Sequence, residues 1–167
     1  NTGSNVTVTA CSFDRSYFGI RSYGNHGTYT GNTIHHTYAS GMGLLDNNTT
    51  VADNVVEDIA LKPGLGETFW GYYGMYVSGA GNVVRGNRIT GNLWGVTIQS
   101  AATVNLGDTT AANYNPGGNS FSNNGNGGVI YALYNNTPNP VPAMHNCWDS
   151  EDPSIDSTAA ACVACTT

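Results

Sequence analysis

The sequence predicts an all-β fold, a parallel β-helix of about six turns with two loop insertions, and three observations carry that prediction. The first is strand-like texture throughout: short apolar alternations such as Met75-x-Val77 are cut by glycine-asparagine corners, too short and too glycine-rich for helix. The second is a repeat. An asparagine two places before an apolar residue recurs in Asn32-Thr33-Ile34, Asn54-Val55-Val56, Asn87-Arg88-Ile89, Asn119-Ser120-Phe121 and Asn146-Cys147-Trp148, with Cys11-Ser12-Phe13 in the same register at the start. The third is a second column in that register, the glycines Gly19, Gly41, Gly74, Gly95 and Gly128.

Successive spacings in the first column are 21, 22, 33, 32 and 27 residues. A basic period of about 21 to 22 residues made only of strands describes a solenoid, in which each turn buries its inward side chains on the next. Leucine-rich repeats share this period, but leucine is scarce here. The inward stack is predicted as Phe13, Ile34, Val56, Ile89, Phe121 and Trp148, with Ile20, Met42, Met75, Val96 and Val129 on a neighbouring strand. The recurring asparagine is expected at a corner, in left-handed conformation, with its amide bonded to those above and below.

The plain turn is Gly74 to Trp94, GMYVSGAGNVVRGNRITGNLW. The long spacings come from insertions within 61–73 and 106–118. Insertions between repeats tend to lie on the binding face. The first of them gathers Phe69, Trp70, Tyr72 and Tyr73, rings that either take up the apolar faces of sugars or fold over the solenoid wall as a satellite core.

Bulk properties narrow the function. The 167 residues suffice for one domain with a real core, and 40% apolar content with three Trp excludes a disordered chain. Five Lys and Arg against eleven Asp and Glu give a net charge of −6 with no basic run, so nucleic acid binding is not expected. No stretch approaches 18 apolar residues, so membrane insertion is not expected either. Asn1 does not open a secretory leader and reads as a mature or cut end. The polar, Thr- and Asn-rich composition suits an extracellular or cell-surface protein.

Stacked turns make neighbours of residues distant in sequence. Strand spacing of about 4.8 Å gathers Asp14, Arg15, His35, His36, Glu57 and Asp58 from the first three turns into one patch. Asp14, His35, Glu57 and Asp58 are the candidates there for acid and base chemistry on a sugar. His35 and Glu57 are the candidate ligands for a divalent cation, and no other cofactor is expected. The alternative is an exposed ladder of weak charge pairs. His35 and His36 alone form no ligand motif, because neighbouring side chains in a strand face opposite ways.

Cys11 lies five turns from Cys147, on the order of 24 Å at the sheet spacing, far beyond the roughly 7 Å that a disulfide spans between Cα atoms. Cys147 is expected to bond Cys162 or Cys165, pinning a tail, residues 157–167, onto a β-helix of residues 1–156. The ends of a solenoid need covering, so either the sequence is a piece of a longer chain or head-to-tail copies of it are the expected partner, with Cys11 available for an intermolecular bond. Sequons at Asn5, Asn47, Asn48 and Asn135 are candidate glycosylation sites.

The run GNVVRGNRITGN resembles the repeat of bacterial and archaeal right-handed parallel β-helix proteins, the group that includes the NosD-like periplasmic and surface proteins. The last turn is similar to their terminal segment, with Asn146, Trp148, Asp152, Pro153 and Ile155 in place and Asp149 where glycine is usual. The resemblance implies a right-handed parallel β-helix and leaves function open, since such repeats serve lyases, hydrolases and adhesins. Asn25-His26-Gly27 is similar to an element of polygalacturonase-like hydrolases, but no paired-aspartate motif accompanies it, and no enzyme signature is intact. The expected function is an extracellular structural or adhesive module, with polysaccharide binding or cleavage as the alternative.

Overall fold

The computed structural model describes residues 3–59, 73–125 and 132–148, together with the strands 155–157 and 160–164. Within these residues the chain is all β, and its strands form three sheets. The first sheet stacks β1 (Thr7–Thr9), β4 (Thr28–Thr30), β7 (Thr50–Ala52), β10 (Asn82–Arg85) and β13 (Val104–Asn105). The second stacks β2 (Ser12–Asp14), β5 (Thr33–His35), β8 (Val55–Glu57), β11 (Arg88–Thr90), β14 (Ser120–Ser122), β16 (Val141–Trp148) and β18 (Ala160–Ala164). The third stacks β3 (Phe18–Ser22), β6 (Ser40–Leu44), β9 (Tyr73–Val77), β12 (Trp94–Gln99), β15 (Leu133–Asn136) and β17 (Ile155–Ser157).

Every strand pair is parallel, and sequence neighbours lie in different sheets. The chain therefore winds through the three sheets in turn and rises one strand spacing per circuit, which is a parallel β-helix. The boundary expected after residue 156 falls inside β17, and β18 continues the second sheet beyond β16.

The inward stack follows the predicted register. Phe13 pairs with Ile34, Ile34 with Val56, Val56 with Ile89, Ile89 with Phe121, and Phe121 with Trp148. The Phe121 and Trp148 rings stack at 4.4 Å and 8°. The second column runs Ile20, Met42, Met75, Val96 and then Leu133, not Val129. Gly128 and Val129 lie outside the described residues, and Ala132 with Leu133 fills their predicted places, because the fifth turn is longer than glycine spacing suggested. A third column, Tyr29, Val51, Val84 and Leu106, completes a core in which side chains such as Ile34, Met42, Val56 and Ile98 have no exposed surface. Each full burial of that kind stabilises the fold by about 1.5–3 kcal/mol.

The asparagine column is a continuous amide ladder. The Asn32 Nδ2 donates to Asn54 Oδ1 at 3.0 Å, Asn54 to Asn87 at 2.9 Å, Asn87 to Asn119 at 3.0 Å, and Asn119 to Asn146 at 2.8 Å. Each Oδ1 also accepts the backbone N–H one turn below, across sequence separations of 21, 22, 33, 32 and 27 residues. These are the spacings of the repeat itself, and all five asparagines are buried.

The corner conformation differs from the expectation. The left-handed residue is the one before each asparagine, Gly31, Asp53, Gly86, Gly118 and His145, and Ala10 holds the same place before Cys11, with φ from 52° to 73°. An extended asparagine can aim its amide inward along the stack, and the tight bend falls on its neighbour. Two further corner columns are left-handed as well, Arg15, His36, Asp58, Gly91 and Asn123, and Asn5, His26, Asn48 and Gly81. Asn, Asp, His and Gly tolerate this region best.

The glycine column has a separate cause. A Cβ on Gly41 would lie 2.6 Å from the Gly74 carbonyl oxygen and 2.5 Å from Val56 Cγ1. Only a hydrogen fits where one turn bears directly on the next.

Candidate functional site

Three surfaces of the solenoid hold the candidate residues. On the second sheet, β2, β5 and β8 align Asp14, His35 and Glu57 as predicted. The structure then separates them. Glu57 is taken by Arg88 of β11, whose Nη2 sits 2.6 Å from Glu57 Oε2, so Glu57 leaves the patch. His36 takes its place. The left-handed corner at His36 ends strand alternation, so its ring lies beside that of His35, with centroids 4.9 Å apart. The expectation that the two imidazoles face opposite ways is corrected by that single φ of 51°.

Asp14 is the hub of the resulting cluster. Its Oδ1 is 3.0 Å from His36 Nδ1 and 3.7 Å from His35 Nδ1, and its Oδ2 is 3.8 Å from Arg15 Nε. The other ring nitrogen of His36, Nε2, lies 4.0 Å from Asp58 Oδ2. The His36 hydrogen bond, with the charges of His35 and Arg15 nearby, outweighs the opposing effect of desolvation and holds the Asp14 carboxyl below the ordinary carboxylate value. One ligand atom each from Asp14, His35 and His36 can be chosen so that all lie within 4.8 Å of one another.

The second surface is a groove of about 480 Å³ beside the first sheet, lined among others by Asn105, Asp108, Asn113, Tyr114, Pro140 and Pro142. The insertion within 106–118 builds its wall. Asp108 and Asn115 exchange backbone hydrogen bonds at 2.9 Å across the neck of the loop, and Asn115 Nδ2 donates to the Asn105 carbonyl at 2.8 Å. Asn105 Nδ2 reaches the Asn113 carbonyl at 2.8 Å, and Asp108 Oδ1 accepts the Thr110 N–H at 2.8 Å. Held this way, Tyr114 keeps 69% of its surface exposed at the groove. Sequence reasoning located this insertion but missed the residue: an isolated Tyr among Asn, Ala and Thr carries no pattern, and its exposure follows from the loop's internal bonding.

The third surface is the outer wall of the third sheet. Tyr73 is half-buried there, stacked on Tyr76 at 5.4 Å and edge-on to Trp94 at 5.9 Å, and Trp94 meets Tyr134 edge-on at 5.2 Å. Burial pushes the Tyr73 phenol up, with Tyr76 and Tyr134 adding to the effect. These rings pack on one another, and Tyr73 is the one member of the insertion's four candidate rings among them. Phe69, Trp70 and Tyr72 lie outside the described residues.

The remaining candidates resolve individually. Cys11 and Cys147 are exposed free thiols. Of the two bonds expected from Cys147 to the tail, the one to Cys162 does not fit the register, because β18 sets Cys162 opposite Ala143, four residues and on the order of 13 Å along β16 from Cys147; Cys165 lies outside the described residues. Asn5, Asn47 and Asn48 are exposed, whereas Asn135 is 3% exposed and donates its amide to the Asn139 carbonyl, so it cannot accept a glycan. His26 is a left-handed corner residue in the column of Asn5 and Asn48.

No curated protein and no solved structure matches this chain. Residues 2–155 match a family described as a protein of unknown function (DUF1565). With that match covering nearly its whole length, the chain belongs to the DUF1565 family, which it joins as a parallel β-helix.

Proposed function

We propose that the protein is an adhesive β-helix module of the cell surface or extracellular space that binds neutral polysaccharide in the groove at Tyr114 without cleaving it. The observation that carries this reading is the groove itself, about 480 Å³ with Tyr114 exposed at its edge. That volume is in the range of ligand sites. An exposed tyrosine and two prolines offer flat apolar surface to the C–H faces of sugar rings, while asparagine side chains offer hydrogen bonds to hydroxyls.

The lining residues favour binding over chemistry. Glycoside hydrolysis uses two carboxyl groups about 5–9.5 Å apart, and Asp108 is the one carboxylate among the lining residues. Lyase action on uronates calls for a base with cationic help, and those residues include no Lys or Arg. The net charge of −6 also disfavours polyuronates. The likeness of the repeat run to NosD-like periplasmic and surface proteins supports the location.

Affinity electrophoresis against neutral and acidic polysaccharides tests the proposal. A neutral glycan retards the wild type, Tyr114→Ala weakens retardation at least about tenfold, and Tyr23→Ala, an exposed ring elsewhere, leaves it unchanged. Absence of retardation by every glycan, or full retention in Tyr114→Ala, overturns it.

A further inference from the structure

The cluster on β2 and the corner after β5 is a separate feature, independent of the saccharide groove. We propose that Asp14, His35 and His36 form a binding site for a divalent transition cation of the zinc type. Zinc–nitrogen and zinc–oxygen bonds of about 2.0–2.1 Å at tetrahedral angles hold ligand atoms about 3.3 Å apart. Asp14 Oδ1 stands 3.0 Å from His36 Nδ1 and 3.7 Å from His35 Nδ1, on either side of that distance. The two imidazole nitrogens lie within 4.8 Å of one another as well, so side-chain rotation, without a change of backbone, brings the three atoms onto one ion. Two imidazoles and one carboxylate suit zinc, cobalt or nickel and not calcium or magnesium, which take oxygen donors.

A second observation points the same way. A metal-bound histidine commonly donates its other ring N–H to a carboxylate, which fixes its tautomer. His36 presents Nδ1 to the cluster and Nε2 towards Asp58 Oδ2, 4.0 Å away. That geometry is set by the backbone, since Arg15, His36 and Asp58 are successive left-handed corners of one column. The positive group facing the site is Arg15, at 3.8 Å from the second Asp14 oxygen and 81% exposed, so it can swing into solvent when a cation enters. The three ligands leave coordination positions open to water or to a donor from a partner.

Isothermal titration with zinc chloride, and cobalt absorption spectra, test this on the full chain. The background is Cys162→Ser with Cys165→Ser, because tail thiols could bind zinc themselves. The expected result is one cation bound in that background. Asp14→Asn, His35→Ala and His36→Gln each weaken it at least tenfold, Asp58→Asn weakens it about tenfold to a hundredfold, and Glu57→Gln leaves it unchanged. Circular dichroism confirms that each variant is folded, and a variant that fails to fold is replaced by His36→Ala or Asp14→Ser at the same atoms. No binding in that double-serine background, or binding that survives His36→Gln, overturns the proposal.

Discussion

Removing one rung from the middle of the asparagine ladder should cost far more than removing its end. Asn87 is 1% exposed. Its Oδ1 accepts the Asn54 backbone N–H at 3.0 Å, and its Nδ2 donates to the Val51 carbonyl at 3.1 Å and to Asn119 Oδ1. Asn87→Ala strips the Asn54 N–H and the Val51 carbonyl of these partners in a place that water does not reach. Each buried group left unpaired costs about 1–3 kcal/mol, so the variant should lose about 2–6 kcal/mol. Against a total stability of about 5–15 kcal/mol, that is a large fraction. Asn32→Ala provides the internal comparison. Its Oδ1 serves the N–H of Cys11, which is exposed, and its Nδ2 the carbonyl of Val8, which is half-buried, so water can satisfy both and the loss should be about 1 kcal/mol. Arg85→Ala, exposed on the strand just before Asn87, should change stability by less than about 0.5 kcal/mol. Urea unfolding followed by circular dichroism measures all three, and hydrogen exchange at the Asn54 amide reports the local opening directly. If Asn87→Ala matched Arg85→Ala, or if Asn32→Ala cost as much as Asn87→Ala, the ladder would not hold the turns together as argued.

Other consequences are more local. Gly41→Ala forces a Cβ against the Gly74 carbonyl and Val56, and should lower stability by about 1–3 kcal/mol, whereas Gly43→Ala, whose Cβ meets nothing nearer than 3.5 Å, should be close to neutral in the same melt. His36→Ala should raise the Asp14 pKa towards its ordinary 3.8, read by carboxyl NMR, because the His36 hydrogen bond is the largest cause of its depression. A depressed carboxyl stabilises the fold above its unfolded pKa, and that contribution disappears as pH falls through the lower folded value, so the acid limb of stability should shift in this variant. Tyr73, raised above 10.0 chiefly by burial, contributes stability that is present below that value and lost as pH rises through the folded one. Ultraviolet titration should show a late-ionising tyrosine that disappears in Tyr73→Phe.

The sequence by itself determined the solenoid. A strand packed on copies of itself must repeat its inward residue and its corner amide at each turn, so Asn32, Asn54, Asn87, Asn119 and Asn146 carried the register through two insertions. It also carried the cross-strand pairs Asp14 with His35 and His35 with Glu57, because columns follow from register alone. What only the tertiary structure decided were quantities that register does not encode. A backbone dihedral at His36 turned two imidazoles to one side, and a side chain from the next turn, Arg88, withdrew Glu57 from them. The internal bonding of an irregular loop left Tyr114 exposed, and the strand register of β18 kept Cys162 away from Cys147. Periodicity fixes where residues stack. Which way a corner side chain turns, and which neighbour claims it, depends on local dihedrals and competing partners that have no period.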